Sequence, residues 1–144
     1  MSSAEQTAAA VRAVFDDRDL AALGALLTDD VRWGGDDHPM RCRGRADVVG
    51  MFEAGAALGA TADVTSCTGV DGPAGSAVVC ALRITWPDAP PAAPLPPGAR
   101  VPRQRPTTLY HVYRLEDGRI AEILPWPSLR GARKLAAELT GTTT

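Results

Sequence analysis

The first part of the chain carries apolar residues at the three- and four-residue spacing that is typical of helices. A serine near the N-terminus, followed three residues later by Glu5, favours a helix start, and the acidic run 16–19 interrupts this helix. The acidic run can cap a second, short helix, and a third is predicted from Arg45 to Leu58. The residues predicted to face inward are Ala8, Val11, Val14 and Phe15 in the first helix, Leu20, Leu23 and Leu27 in the second, and Val48, Met51 and Phe52 in the third.

From residue 61 onward, hydrophobic and polar residues alternate with the period of two that is typical of strands. Strands are predicted to begin at residue 61 and to span residues 76–86, 107–115 and 119–124, with an earlier short strand at 31–33 and a closing helix capped by Ser128. The prolines on either side of Trp126 are expected to end the last strand. Consecutive strands favour an antiparallel sheet with helices against one face, which is an α+β domain.

A proline-rich segment at residues 87–106 interrupts this pattern, and it holds eight of the twelve prolines in the chain. Proline cannot donate a hydrogen bond to a sheet, so the segment is expected to be a long loop between two strands. A tolerated insertion, a lid or arm, and a ligand for a proline-binding module are all compatible with its composition. The remainder of residues 1–144 is predicted to form one domain, with residues 140–144 as a frayed tail.

Composition and charge exclude several classes of protein. The 144 residues are 45% hydrophobic and carry a formal net charge of -2, which argues against a disordered chain and against nucleic acid as the main partner. No apolar run approaches the length of a membrane span, and the N-terminus lacks the pattern of a signal peptide, so a cytoplasmic location is expected. Three cysteines without a CxxC pair favour neither a disulfide framework nor a structural zinc site.

Two motifs give the chain a family resemblance. The first runs from Asp19 through the paired aspartates that precede Trp33, and the second is the hairpin from His111 to Ile120. Their order and spacing resemble the nuclear transport factor 2-like superfamily, within it the SnoaL-like and ketosteroid-isomerase-like group, over about residues 5–135. The resemblance implies a cone-shaped, curved antiparallel sheet wrapped on N-terminal helices, a cystatin-like roll with a mostly apolar cavity, often as a homodimer formed through the sheet. Members include isomerases, polyketide cyclases, epoxide hydrolases, dehydratases and non-catalytic binders, so the fold does not settle the function.

The residues that ketosteroid isomerases use are largely replaced here. By motif alignment, the family's tyrosine position falls at Val11 and its carboxylate base at Gly35, one residue before Asp36. The aspartate that donates to the oxyanion falls at His111, and the late aspartate of the epoxide hydrolases falls at Pro125. The resemblance therefore implies another polar group, a histidine, at the oxyanion position.

Candidate acid–base residues follow from these positions. His111 would point into the cavity if its strand face is concave, where an imidazole can donate to an oxyanion or transfer a proton; a core histidine bonded to a neighbouring hydroxyl is an equally open interpretation. Asp36, Asp37 and His38 end the first strand near the expected cavity mouth, and either aspartate could be a general base. The same residues also suit a polar turn, and no ligand spacing supports a metal site.

The leading hypothesis is an isomerase, cyclase or dehydratase that moves a proton on an apolar, carbonyl-bearing molecule. Asp36 or Asp37 would take the proton, His111 would stabilise the oxyanion, and no cofactor would be needed because the carbonyl itself stabilises the carbanion. The alternative is a non-catalytic ligand-binding or structural homodimer of the same fold. The residues expected to line the cavity are Trp33, His38, Leu82, Ile84, Trp86, Tyr113 and Trp126, although the large aromatic residues among them would be buried in any small domain.

Overall fold

A computed structural model describes residues 2–36, 38, 41–87 and 106–142, and every structural statement below concerns those residues. Asp37, most of the proline-rich segment and the last two residues lie outside them. The helices are α1 (Ser3–Asp16), α2 (Leu20–Gly24), α3 (Arg45–Ala57) and α4 (Leu129–Thr140), and the strands are β1 (Leu27–Trp33), β2 (Cys42–Arg43), β3 (Thr61–Gly72), β4 (Gly75–Thr85), β5 (Thr107–Glu116) and β6 (Arg119–Trp126).

The strands form one curved six-stranded sheet in the order β2-β1-β6-β5-β4-β3, which confirms the predicted α+β class. Strands β3 to β6 are neighbours in sequence and pair antiparallel, as expected. Strand β1, in contrast, pairs parallel with β6, so the prediction of a fully antiparallel sheet is wrong at this one pair. No hairpin joins these two strands, so local chain geometry does not set their relative direction.

The two faces of the sheet carry different helices. Helices α1, α2 and α3 cover one face, and their apolar residues share a core with alternate residues of the strands. Helix α4 covers the opposite face, where its Ala132 and Ala136 pack on Ala77, Val79 and Val112. The expectation that all helices lie against one face is therefore wrong for α4. Among the described residues, no helix combines the length and apolarity that crossing a bilayer requires.

Two strands extend further than the sequence pattern indicates. Strand β1 begins at Leu27 rather than after the paired aspartates, and β6 continues through Pro125 to Trp126. The pairing of β1 with β6 ends where Trp33 meets Ile123, so among the described strands only β5 pairs with β6 at Pro125. A proline is tolerated there because the missing N–H faces no neighbouring strand.

The C-terminal end is more ordered than predicted. Thr140 is the last residue of α4; it is fully buried, and its hydroxyl donates to the Ala136 carbonyl at 2.8 Å. Gly141 then takes the left-handed conformation that commonly ends a helix, with φ 72°. The predicted fraying is thus wrong for residues 140–142, because packing of α4 on the sheet holds this end.

Candidate functional site

A cavity of about 460 Å³ opens between the helices of the first layer and the end of the sheet formed by β3, β4 and β5. Exposed Trp86 and Leu109 lie at its rim. Apart from Arg18 and Thr61, its lining residues are apolar or glycine. They are Phe15, Arg18 and Leu20 before α3, Met51, Phe52, Gly55 and Ala56 in α3, Gly59 and Ala60 after it, and Thr61, Ala62, Ile84, Trp86 and Leu109 in or beside the strands.

Helix α3 leaves space for the cavity because the face that carries Phe52 also carries small residues. Gly55 and Ala56 follow Met51 and Phe52 by about one turn, so they lie on the same side of the helix. A Cβ added at Gly55 would meet no atom within 4 Å, so empty space lies beyond this backbone position. The cavity therefore depends on small residues where a helix normally carries large apolar ones.

Arg18 is the charged residue among those lining the cavity. Its guanidinium forms an ion pair with Asp63 at 3.3 Å, and both side chains are more than half exposed, at 56% and 59%. An exposed pair of this kind contributes little to stability, so the guanidinium can exchange its partner at small cost. The wall of the cavity thus combines an apolar interior with one cationic group at its edge.

His111 and Tyr113 lie behind the cavity wall rather than in it. The His111 ring contacts Phe52, a lining residue, with ring centroids 6.5 Å apart, and its Nδ1 shares a 3.2 Å hydrogen bond with the Tyr113 hydroxyl. Both residues are almost completely buried. Burial lowers the pKa of His111 to about 4 and raises that of Tyr113 well above its usual value, so both are neutral at pH 7.

The aspartate proposed as the base lies elsewhere. The Asp36 side chain is 95% exposed, forms a 3.7 Å ion pair with Arg32, and lines a separate, polar surface depression with Arg41 and Arg43. Asp37 is outside the described residues. The structure therefore does not bring Asp36 and the His111 ring to one cavity, and the predicted acid–base pair is not assembled in it.

The aromatic residues at the end of β1 also lie away from the cavity. Trp33 and His38 pack on each other with ring centroids 4.7 Å apart, and neither lines the cavity of about 460 Å³. They form a local contact next to the loop that carries Asp36. Trp33 and His38 were both predicted to line the cavity, and the structure places both of them outside its lining.

The remaining predicted lining residues divide between the cavity, the core and the opposite face. Ile84 and Trp86 line the cavity, whereas Leu82 is buried in the core together with Tyr113. Trp126 faces the other side of the sheet, because Pro125 is the residue opposite His111 and successive side chains alternate. There it packs against Gly131 of α4, at which an added Cβ would collide with the indole ring.

Several residues that line the cavity were predicted from the sequence to face inward, but they were not predicted to line a cavity. Phe15, Met51 and Phe52 have the helical spacing of core residues, and Leu109 shares a strand face with His111. The sequence pattern carries no signal that separates a core position from a cavity wall. Arg18 was not identified, because a charged residue between two helices is typical of a solvated turn.

The described residues hold no cluster of three or more histidine, cysteine, aspartate or glutamate side chains that could bind a metal ion. One group of charged side chains on the sheet, on the other hand, is paired internally. Glu122 of β6 accepts hydrogen bonds from Arg32 at 2.6 Å and from Arg114 at 3.4 Å. These hydrogen bonds link the adjacent strands β1, β6 and β5. The carboxylates of Glu116 and Glu122 raise the pKa of Arg114.

Comparisons with known proteins agree on the fold. The chain is similar to a candidate polyketide cyclase from Pseudomonas putida (17% identity, 90% of this chain and 94% of that one, TM-score 0.64) and to a candidate ketosteroid isomerase from Kribbella flavida (24%, 89% and 82%, TM-score 0.61). It also resembles an uncharacterised cystatin-fold protein from Novosphingobium aromaticivorans (20%, 88% and 98%, TM-score 0.62). No curated protein matches the sequence. The family model of the SnoaL-like domain matches residues 8–123, and the chain therefore belongs to the SnoaL-like domain family.

Proposed function

We propose that this protein binds a small, mainly apolar molecule in the cavity between α3 and the end of the sheet. The observation that carries the proposal is the lining itself, which is apolar except for Arg18 and Thr61 and encloses about 460 Å³. Cavities of roughly 300–1,000 Å³ with apolar walls and few polar groups are typical small-molecule sites. Membership of a family with many small-molecule binders supports the same function.

The position of Arg18 refines the expected ligand. A bound molecule would place its apolar body against Phe15, Phe52 and Ile84 and could direct one acceptor group toward the guanidinium at the edge. That group would compete with the exposed Asp63 carboxylate, which water also solvates. We therefore propose a ligand with one carbonyl, carboxylate or sulfonate oxygen at one end of an apolar skeleton.

Filling the cavity tests the proposal. Gly55→Leu would place a side chain in the open space beyond Gly55, whereas Gly50→Leu adds the same side chain to α3 at a position that does not line the cavity. Neither added Cβ meets an atom within 4 Å, so both variants are expected to fold. If the leucine displaces roughly 60 Å² of ligand contact, binding weakens by about 1.5 kcal/mol, which is about tenfold.

The assay is fluorescence titration with 8-anilinonaphthalene-1-sulfonate, a probe with an apolar aromatic body and one anionic group. We expect saturable binding to the unaltered protein and to Gly50→Leu, with at least tenfold weaker binding to Gly55→Leu. Equal affinity for the two leucine variants, or no saturable binding to the unaltered protein, would contradict the proposal.

A second candidate function is proton transfer on a carbonyl compound, supported by the neutral His111–Tyr113 pair directly behind Phe52. A neutral imidazole and a phenol can donate hydrogen bonds to a developing oxyanion, but access to them requires the Phe52 ring to move. Exchange of the α-protons of a small apolar ketone in D₂O, followed by NMR, measures this activity. His111→Ala should slow protein-dependent exchange at least about 100-fold. Exchange that is absent, or unchanged in the variant, leaves ligand binding as the function.

The homodimer expected from the family resemblance remains a prediction. Sedimentation equilibrium across a range of protein concentrations measures the mass directly. A mass twice that of the chain is the expected result, and a monomer at all concentrations would contradict it.

A further inference from the structure

Two cysteines face each other across the hairpin of β3 and β4. Cys67 and Cys80 are register partners within a ladder that runs without a shift from Ser66 and Ala81 to the turn between Gly72 and Gly75. An uninterrupted ladder closed by a short turn fixes which residues stand opposite each other. The juxtaposition of the two thiols is therefore a property of the hairpin rather than of side-chain flexibility.

The geometry of this position suits a disulfide. Directly opposite residues of an antiparallel pair point to the same face, with Cβ atoms about 4.5–5.5 Å apart, and a disulfide requires about 3.5–4.5 Å. A small approach of two strands that are already paired would close this difference. Both residues are free thiols; Cys80 is buried in the core and Cys67 is only partly buried at its edge.

The surroundings favour reaction at Cys67. The Arg12 guanidinium of α1 reaches over β3 and donates to the Val64 carbonyl at 3.5 Å. The interaction with the Cys80 thiol, and after it the charge of Arg12, lowers the pKa of Cys67. The same pairing, together with burial, raises the pKa of Cys80. A partly exposed thiol beside a cation and a buried thiol partner resemble the attacking and resolving positions of a reactive pair.

We propose that Cys67 and Cys80 form a reversible intramolecular disulfide when the protein meets a peroxide. The Cys67 thiolate attacks one oxygen of hydrogen peroxide, the O–O bond breaks, and a sulfenic acid forms as hydroxide leaves. The Cys80 sulfur then attacks the sulfenic sulfur, the S–O bond breaks, and the displaced hydroxyl leaves with the thiol proton as water. The two sulfurs together lose two electrons, and the peroxide is reduced to two waters.

The disulfide would alter the polar contacts behind the ligand cavity. The Tyr113 hydroxyl shares a hydrogen bond with His111 Nδ1 and also interacts with the Cys80 thiol. Oxidation removes the Cys80 thiol proton from this buried set. The modification therefore connects the oxidation state of the hairpin with the His111–Tyr113 pair.

Peptide mass spectrometry tests the proposal on the folded protein. No lysine or arginine lies between residues 46 and 82, so trypsin releases both cysteines in one peptide, 46–83, separate from Cys42. After peroxide treatment and blocking of remaining thiols, this peptide should lose two hydrogen atoms and take up no blocking group. A reductant should restore both thiols.

The variants Cys67→Ser and Cys80→Ser should not form the linked peptide, whereas Cys42→Ser should form it to the same extent as the unaltered protein. Circular dichroism spectra check that each variant is folded. A peptide 46–83 that keeps both thiols under peroxide, or that gains oxygen at Cys67 without losing two hydrogen atoms, would overturn the proposal.

Discussion

The pH dependence of stability offers a direct test of where His111 lies. The unfolded chain takes up a proton at this histidine as the pH falls through its ordinary value of 6.5, whereas burial delays protonation of the folded protein to a pKa of about 4. Between these values the unfolded state binds more protons, so acid lowers the free energy of unfolding. Below about pH 4 both states are protonated, and this contribution stops changing.

The size of the effect follows from the two pKa values. A difference of one unit between the pKa values of the folded and unfolded states corresponds to about 1.4 kcal/mol. The interval between 6.5 and about 4 therefore corresponds to roughly 3 kcal/mol. A domain of ordinary stability has about 5–15 kcal/mol in total. Protonation of this one buried ring is therefore expected to remove a substantial fraction of the stability.

Urea unfolding at a series of pH values from 7.5 to 4 measures the effect in the protein and in His111→Gln. Glutamine cannot take up a proton in this range, and its amide can accept the hydrogen bond of Tyr113. The variant should lack the loss of roughly 3 kcal/mol that the histidine causes, although carboxylates still contribute their own acid dependence. His38→Gln is the matched control, since the chain has two histidines and this variant keeps the buried one.

Two results would refute the reasoning. If His111→Gln loses stability with acid as steeply as the unaltered protein, the ring is not buried in its neutral form. If the NMR titration of the His111 ring, assigned by comparison with His38→Gln, has its midpoint near 6.5, the cause given for the low pKa is wrong. Either outcome would also weigh against the second candidate function, which requires the His111 imidazole to be buried behind Phe52.

Three further predictions concern packing and hydrogen bonds, and each is measured by urea unfolding. Gly69→Ala should destabilise the protein by about 1–3 kcal/mol, because the new Cβ would collide with the backbone of α1. Gly50→Ala in α3 is the control: its Cβ meets nothing within 4 Å, and it should stabilise the protein by about 0.5–1 kcal/mol. Glu122→Gln should cost about 1–3 kcal/mol, since the arginines of β1 and β5 would lose their shared carboxylate; an unchanged midpoint would contradict that role. Tyr113→Phe should cost about 0.5–1.5 kcal/mol through the lost hydrogen bond to His111, with equal stability as the contrary outcome.

The local elements could be predicted because they depend on short-range spacing. The helical spacing of Val11, Val14 and Phe15 indicates burial on one side of α1, and the structure buries all three. The alternation in β4 predicted a strand correctly, but residues 77–82 are buried on both faces because α4 covers the second one. The ends were harder to predict. Strand β6 passes through Pro125 only because β1 has already ended beside it, and that is a relation between distant segments.

The candidate site could be predicted only in part. The sequence left two interpretations of His111 open, a cavity position and a core position bonded to a neighbouring hydroxyl. The structure has the second arrangement, with the ring bonded to the Tyr113 hydroxyl and Phe52 of α3 between it and the cavity. Asp36 was placed at the cavity mouth by its position after the first strand. The structure instead leaves its side chain exposed to solvent, in a 3.7 Å ion pair with Arg32.

The amino-acid sequence by itself determined the class of fold, the order of the elements and the apolar face of the N-terminal helices, since these follow from periodicity and capping within a few residues. Only the tertiary structure decided which buried residues form a wall and which fill the core, and on which side of the sheet Trp126 lies. The physical reason is that a cavity is the space left when helix and sheet meet. Its shape depends on the sizes of side chains from segments far apart in the chain, such as Gly55 and Leu109, which no local pattern relates.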